Sequence, residues 1–194
     1  TSITTCTDYY DTYAGGGIYI EGADPTIYDI IIEGIALPEA SSIASGDDTY
    51  HVNSYGGAIY VGNGTLSAER FAIIDNFADQ GGGIYVDADS IFTGTSAWVI
   101  ANVAVDGAGM QVDGGEAILT NIASLWNVAD TDGGGVLVAD GALDAVNSLW
   151  GGDDAASGGG LYLSGTASAS VMNSIITESG TGEGIMVGGS ASFS

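Results

Sequence analysis

The chain has 194 residues, enough for one domain with a sizeable core, and its charge is lopsided, with 25 Asp and Glu against a single Lys or Arg and a net charge of −24. Proteins that bind nucleic acid or anionic lipid neutralise phosphates with Lys and Arg, so both partner classes are strongly disfavoured. A hydrophobic content of 45% nevertheless predicts a folded chain. No apolar run approaches the roughly 20 residues of a membrane span, so no span is predicted.

A glycine-rich segment recurs from one end of the chain to the other. It is first seen as Gly-Gly-Gly-Ile-Tyr-Ile from Gly15, and the apolar residue after the glycines returns after 41 residues and then every 24 to 26. The first interval is one period plus an insertion, which we place at residues 36–55. Self-similarity of this kind is typical of a solenoid of stacked turns. The repeated apolar anchors are Ile18, Ile59, Ile84, Met110, Val136, Leu161 and Ile185.

The residues after each anchor predict a short β-strand with one buried face. The next position is most often tyrosine and the one after it is aliphatic, so alternation places the anchor and the aliphatic residue inside and the tyrosine outside. Two further apolar patches per period, separated by turns rich in Gly, Asp and Ser, predict two more strands, and the last patch includes Trp98 with Ile100. The outward tyrosines are Tyr19, Tyr60, Tyr85 and Tyr162.

Two columns of asparagine repeat with the same period. We interpret both as structural, because asparagine tolerates the left-handed conformation of a tight turn and its amide can pass hydrogen bonds between successive turns. The first column loses its asparagine in the last two turns, where Gly152 and Thr177 stand near the equivalent place. The first column is Asn76, Asn102 and Asn127, and the second is Asn121, Asn147 and Asn173.

These patterns predict an all-β fold, a right-handed parallel β-helix (β-solenoid) of about seven turns, each of about 25 residues and three short strands, with uncapped ends. Residues 1–194 are predicted to form one such domain, with a loop insertion at residues 36–55. A leucine-rich repeat has a compatible period but needs a different leucine pattern, and a left-handed hexapeptide helix builds its coils from multiples of six.

The repeat also resembles that of bacterial surface β-helices of the polymorphic outer-membrane-protein type. The resemblance rests on Gly-Gly-Gly-Ile-Tyr-Val at Gly81–Val86, followed by a small-residue turn, an apolar strand and an Asn-x-Ala segment that leads into the next glycines. It extends over nearly the whole chain. It implies an exported β-helix used for adhesion or cell-surface structure, although such a motif specifies fold more strongly than function.

Neither a phosphate loop nor a catalytic site is predicted. Val86 stands where a dinucleotide-binding loop needs its third glycine, and a chain without lysine has no Walker-type loop. The polysaccharide lyases among β-helices resemble one another in using Lys or Arg, whereas this chain offers only Arg70 and His51. Most of the acidic residues fall at turns, where aspartate is favoured for local hydrogen bonds, so we interpret the protein as a non-enzyme.

Acidic and aromatic residues supply the candidate binding surfaces. Equivalent carboxylates in neighbouring turns lie about 4.8 Å apart and repel unless they are bridged, protonated or offset. Calcium is therefore the one candidate cofactor. The tyrosine column either stabilises parallel strands by stacking or forms a platform for a glycan or a flat partner protein. The candidate calcium ligands are Asp87 with Asp113, and Asp106 with Asp132.

Both ends of the sequence have the pattern of an interrupted turn. The segment from Ile185 of one copy to Ile18 of the next would span about one repeat period. The leading prediction is an extracellular structural subunit that assembles head to tail into a filament by completing split turns. The alternative is a mature or excised segment of a larger bacterial cell-surface adhesin that binds a cell or glycan, and a polysaccharide-degrading enzyme ranks last.

Overall fold

The computed structural model describes residues 8–45, 48–177, 180 and 182–194, and these residues form strands and turns without a helix. The strands are, in chain order, β1 (Asp8–Ala14), β2 (Ile18–Glu21), β3 (Thr26–Glu33), β4 (Ser41–Ser45), β5 (Asp48–Tyr55), β6 (Ile59–Gly62), β7 (Thr65–Ile74), β8 (Ile84–Val86), β9 (Ile91–Ile100), β10 (Val103–Asp106), β11 (Met110–Asp113), β12 (Glu116–Leu125), β13 (Val128–Asp132), β14 (Val136–Ala139), β15 (Ala142–Val146), β16 (Leu149–Gly151), β17 (Leu161–Ser164), β18 (Ser168–Met172), β19 (Ile175–Thr177), β20 (Ile185–Val187) and β21 (Ser192–Phe193).

The strands stack in parallel as a β-solenoid of about five turns, which confirms the predicted fold with fewer turns than the seven anchors indicated. Seven strands form a front sheet in the order β2-β6-β8-β11-β14-β17-β20. Nine strands form a broad sheet in which β3, β7, β9, β12, β15, β18 and β21 follow one another and β16 and β19 pair beside them. The last anchor contributes β20 to the front sheet, but among the described residues its turn has only the short strand β21 beside it.

A complete turn has three strands, as predicted, but they are distributed differently. Strand β9 includes the second apolar patch and the patch around Trp98, because the chain bends at Ser96 (φ 57°) without leaving the sheet. The third strand, β10, pairs with β13 on a side of the solenoid that the sequence patterns did not predict. Each complete turn therefore has four sides. Every described residue with positive φ lies at a corner between two of these sides. In the turn that contains β8 and β9, the corners are Gly81, Asp89, Ser96 and Ala101.

The recurrent glycines are required by the corner and by the close approach of neighbouring turns. Gly81 has a φ of 61°, a conformation that suits glycine better than other residues. At Gly82 an added Cβ would lie 2.3 Å from the carbonyl oxygen of Val103, which is backbone and has little freedom to move. The glycines thus allow the chain to turn and allow the turns to stack.

The anchors line the core as predicted. Each anchor and the aliphatic residue two positions later face the interior, where Ile84 and Val86 are fully buried. The burial declines at the ends of the column, since Ile18 is half-buried and Ile185 is 36% exposed. The buried anchors between them are Ile59, Ile84, Met110, Val136 and Leu161.

The first asparagine column forms a buried ladder along the solenoid. The backbone N–H and the Nδ2 of Asn76 both donate to Oδ1 of Asn102, at 3.0 Å each. Asn102 donates in the same way to Asn127 at 2.9 Å, and Asn127 to Oδ1 of Asp153 at 2.9 Å. The predicted ladder is confirmed, and the column loses its asparagine after Asn127 as the sequence indicates, but the ladder itself continues for one more step, because fully buried Asp153, one residue after Gly152, accepts from Asn127.

The second asparagine column lies at exposed corners. Asn121, Asn147 and Asn173 have φ values of 56°, 53° and 50°, so the predicted left-handed conformation is confirmed. Their side chains are exposed, and no hydrogen bond joins the amides of this column within the described chain. The prediction that they pass hydrogen bonds between turns was therefore wrong for this column. Its amides remain free to bind something else.

The insertion forms a hairpin and not an irregular loop. Strand β4 pairs antiparallel with β5, and β5 pairs parallel with β1. Buried Asp79 fastens this hairpin to the next turn, because its carboxylate accepts hydrogen bonds from Ala40 N at 2.6 Å and from the Oγ of Ser54 at 2.8 Å. The end of β5 consequently lies against the front of the solenoid.

Candidate functional site

The outward tyrosines of the first three turns form a stack. The ring centroids of Tyr19 and Tyr60 lie 5.1 Å apart with planes inclined by 7°, and those of Tyr60 and Tyr85 lie 5.7 Å apart and 3° inclined. The ring faces contact one another, and exposure falls from 55% at Tyr19 to 4% at Tyr85. This arrangement favours the stacking interpretation over a flat platform. Tyr162 also faces outward, but it lies farther along the front sheet and outside this stack.

The tyrosine hydroxyl groups bind carboxylates of the following turn. Tyr60 donates to Asp87 at 2.6 Å and Tyr85 to Asp113 at 2.9 Å. Burial, together with the neighbouring carboxylate, raises the pKa of both phenols well above its usual range, so they stay protonated donors at physiological pH. Asp87 and Asp113, predicted as calcium ligands, are thereby engaged with tyrosines on the front sheet.

A shallow groove of about 320 Å³ lies between the tyrosine stack and the strands that precede it. Tyr55, from the end of the hairpin, closes one side of it, with its ring edge-on to Tyr85 at 5.0 Å. A ligand in this groove would contact ring edges and the Asp87 carboxylate, since the ring faces between Tyr19, Tyr60 and Tyr85 contact one another. The lining residues are Thr12, Ala14, Tyr19, Tyr55, Tyr60, Tyr85 and Asp87.

The second predicted calcium pair lies on the side of the solenoid. Asp106 and Asp132 are partners in the β10–β13 register, as the repeat predicted, and Asp106 accepts a hydrogen bond from the Thr131 hydroxyl. Among the described residues, no group of three or more His, Cys, Asp or Glu side chains is arranged to hold a metal ion. Calcium at these pairs stays a prediction.

Arg70, the strong cation of the chain, is bound to a carboxylate. Its Nε lies 2.7 Å from Oδ1 of Asp29 and its Nη2 lies 3.0 Å from Oδ2, while the guanidinium carbon lies 5.8 Å from the Tyr28 ring centroid. The hydrogen bonds from Arg70 lower the pKa of the Asp29 carboxyl. His51 lies in β5, within the insertion. The structure thus pairs Arg70 with an acid at the surface.

The core columns are partly exposed at the last described turn. Ile185, Val187 and Phe193 occupy positions that are buried in the middle turns, yet they are 36%, 45% and 42% exposed. Among the described strands, β20 has a partner on one edge only, as β2 does at the other end of the front sheet. A strand edge with apolar residues beside it is a surface on which another strand can pair.

Two exposed tryptophans were not recognised in the sequence as candidate site residues. Trp98 is 59% exposed and Trp126 is 61% exposed, whereas Trp150 is buried. The sequence patterns placed Trp98 in an apolar patch without a role. The bend at Ser96 shifts the inward–outward alternation of side chains by one residue. Ala97 and Val99 therefore face the core, and the Trp98 indole between them faces outward.

Comparison of the chain with protein-family models, with curated proteins and with solved structures finds no match. The described residues include no helix with the length and apolarity needed to cross a membrane. Functional conclusions therefore depend on the surfaces of the solenoid itself.

Proposed function

We propose that the protein is a structural β-solenoid subunit that assembles head to tail, with the last turn of one copy pairing with the first turn of the next. The observation that supports this proposal is the uncovered core at the last turn, where Ile185, Val187 and Phe193 are exposed. Burying such side chains contributes about 25 cal/mol per Å² of apolar surface removed from water. A further turn of the same kind would cover all three.

The repeat defines the register of this contact. Strand β20 would pair in parallel with β2 of the next copy, so that Ile185 lies beside Ile18 and Met186 beside Tyr19. Ile18 is half-buried and Tyr19 is 55% exposed, so both have surface to lose. Met186 would add to the tyrosine stack a thioether, which contacts aromatic rings favourably. Such a heterologous contact does not close on itself and generates a filament.

We place this assembly outside the cell. The resemblance of the repeat to bacterial surface β-helices supports this location, and the acidic surface keeps filaments apart through repulsion. In the alternative function the same solenoid is part of an adhesin.

Substitution of Val187 by aspartate should weaken the assembly by at least about tenfold, because the new carboxylate would be buried without a partner at the contact. Electron microscopy and sedimentation velocity measure the filament length and the mean mass. Ser190→Asp is the matched control, since it adds the same charge at an exposed corner of the last turn. Filaments of equal length in both variants, or a monomeric wild-type protein at high concentration, would refute the proposal.

Disulfide trapping tests the register. In a Cys6→Ser background, Tyr19→Cys combined with Met186→Cys should give a ladder of disulfide-linked oligomers on oxidation, because directly paired strands bring Cα atoms within the range of a disulfide. In the control, Tyr60→Cys combined with Met186→Cys places the first thiol one turn farther from the contact between copies and should give no disulfide-linked oligomers. Equal cross-linking of both pairs in a denaturing gel would show that the contact has another register.

A further inference from the structure

A second groove, of about 380 Å³, lies on the broad sheet, away from the tyrosine stack. It lies along the column of bends that the positive-φ residues Ser96, Asn121 and Asn147 make in the broad sheet, and it extends over three successive turns. None of its lining side chains carries an ionisable group, although the chain has a net charge of −24. The lining residues are Ser96, Ala97, Trp98, Asn121, Ile122, Ala123, Asn147 and Leu149.

Trp98 supplies an aromatic surface in this groove. It pairs in register with Ala123, which is followed in the next turn by Leu149, so a small side chain stands directly beside the indole. The ring is 59% exposed and none of the ring–ring contacts of the described chain involves it. Its faces are thus available to a ligand, unlike those of Tyr60, which is stacked on both sides.

Asn121 and Asn147 supply hydrogen-bonding groups along the same groove. Both side chains are exposed, and neither amide has a hydrogen-bond partner within the described residues, in contrast to the saturated buried ladder. Because they occupy equivalent positions in successive turns, they are about 5 Å apart along the solenoid axis. Each amide offers two N–H donors and a carbonyl acceptor.

We propose that this groove binds an uncharged polysaccharide, with a sugar ring against the Trp98 indole and sugar hydroxyls on the amides of Asn121 and Asn147. An aromatic face beside free amides suits a ligand with both C–H faces and hydroxyl groups. An acidic polysaccharide would be repelled by the net charge, and a basic peptide would find no carboxylate in the groove. This site is independent of the head-to-tail contact, since it lies on the side of the solenoid and not on its ends.

Tryptophan fluorescence and affinity electrophoresis test the site in the full chain. In Trp126→Phe, Trp98 is the remaining exposed indole, so its emission reports on the groove. We expect at least one of the neutral probes mannan, dextran and xyloglucan to shift this emission to shorter wavelength and to retard the protein in the gel, whereas polygalacturonate does neither. Trp98→Ala should weaken retardation by at least about tenfold, and Asn121→Ala by several-fold.

Trp126→Phe itself is the matched control, because Trp126 is equally exposed but lies outside the groove. The proposal is overturned if no neutral probe changes the emission, if Trp98→Ala binds like the wild type, or if Trp126→Phe loses binding to the same extent. Binding of polygalacturonate, or of a casein-derived peptide mixture in place of the polysaccharides, would assign the groove to another ligand class and also overturn it. Circular dichroism of Trp98→Ala checks that the fold is retained. None of these results bears on the filament, whose failure would appear in electron microscopy, in sedimentation and in disulfide trapping.

Discussion

Replacing Asn102 by alanine should lower the free energy of unfolding by about 3–5 kcal/mol, since it leaves several buried polar groups without partners. The Oδ1 of Asn102 accepts from both the backbone N–H and the Nδ2 of Asn76, and its own Nδ2 donates to the Ile73 carbonyl at 3.1 Å and to Asn127 at 2.9 Å. The side chain is fully buried, so water cannot replace these contacts without opening the turn. Equilibrium denaturation in urea measures the loss.

Asn121→Ala is the matched control for this ladder variant. Asn121 belongs to the exposed column and its amide makes no hydrogen bond within the described chain, so only the cost of alanine at a φ of 56° remains. That cost is about 1 kcal/mol. If Asn102→Ala destabilised the protein no more than Asn121→Ala, the buried ladder would not be the element that holds the turns together.

Replacing Asp153 by asparagine should stabilise the protein at pH 7 by about 3 kcal/mol, because a buried charge is removed. Desolvation raises the pKa of Asp153 from 3.8 to about 6, against the hydrogen bonds from Asn127 and Ser124 that lower it. Its Oδ2 has no hydrogen-bond partner among the residues that the structure describes. Each asparagine of the ladder also donates from its Nδ2 to a backbone carbonyl of the preceding turn, which is that of Ile32, Ile73 or Val99. The strand register aligns these three residues with Ser124, so the Ser124 carbonyl is the equivalent acceptor for an asparagine at position 153.

The gain should depend on pH in a defined direction. A folded-state pKa above the unfolded value means that the native protein holds the proton more tightly, so this group favours folding below pH 3.8 and that contribution is lost as the pH rises to about 6. The difference between Asp153→Asn and wild type should therefore be near zero at pH 4, grow up to about pH 6 and stay constant above it. Thermal denaturation across this range measures it.

Asp144→Asn separates this effect from the net charge. Asp144 is exposed on β15, so its substitution removes the same charge from a chain of net charge −24 without touching the ladder. We expect a change within about 0.5 kcal/mol at every pH. An equal stabilisation by both substitutions would mean that long-range repulsion, and not the buried carboxylate, is the cause.

The repeat made the architecture predictable from the sequence. Alternation after each glycine corner identified the inward face, so Ile84 and Val86 were assigned to the core, where the structure buries them fully. Tyr85 was assigned to the opposite face of the strand as an outward residue, but the rings of Tyr55 and Tyr60 cover it there and leave it 4% exposed. The buried asparagines were also predictable, because a polar residue that returns at each turn has its own copies as hydrogen-bond partners. Asp153 does not stand out in the sequence, because it does not repeat the asparagine of the column, whereas its position in the turn requires only an acceptor for the two donors of Asn127.

The candidate sites were less predictable because they depend on where the chain bends. A left-handed residue inside a strand changes the phase of the alternation, and the αL conformation of Ser96 cannot be recognised from serine itself. Trp98 was consequently not recognised as a surface residue. The groove at the tyrosines depends equally on Tyr55, which the hairpin brings to the front sheet from a segment predicted to be a loop.

The hairpin also has a consequence for folding kinetics. Most strand pairs join residues about one turn apart, so successive turns can add to a growing solenoid with a nearly constant loop-closure entropy. The first turn is different, since Ile18 pairs with Ile59 and must close a loop that contains β4 and β5. We expect the middle turns to nucleate folding and the first turn to add after them. Local pairing of β4 with β5 shortens the flexible part of the loop and so partly offsets its larger closure entropy.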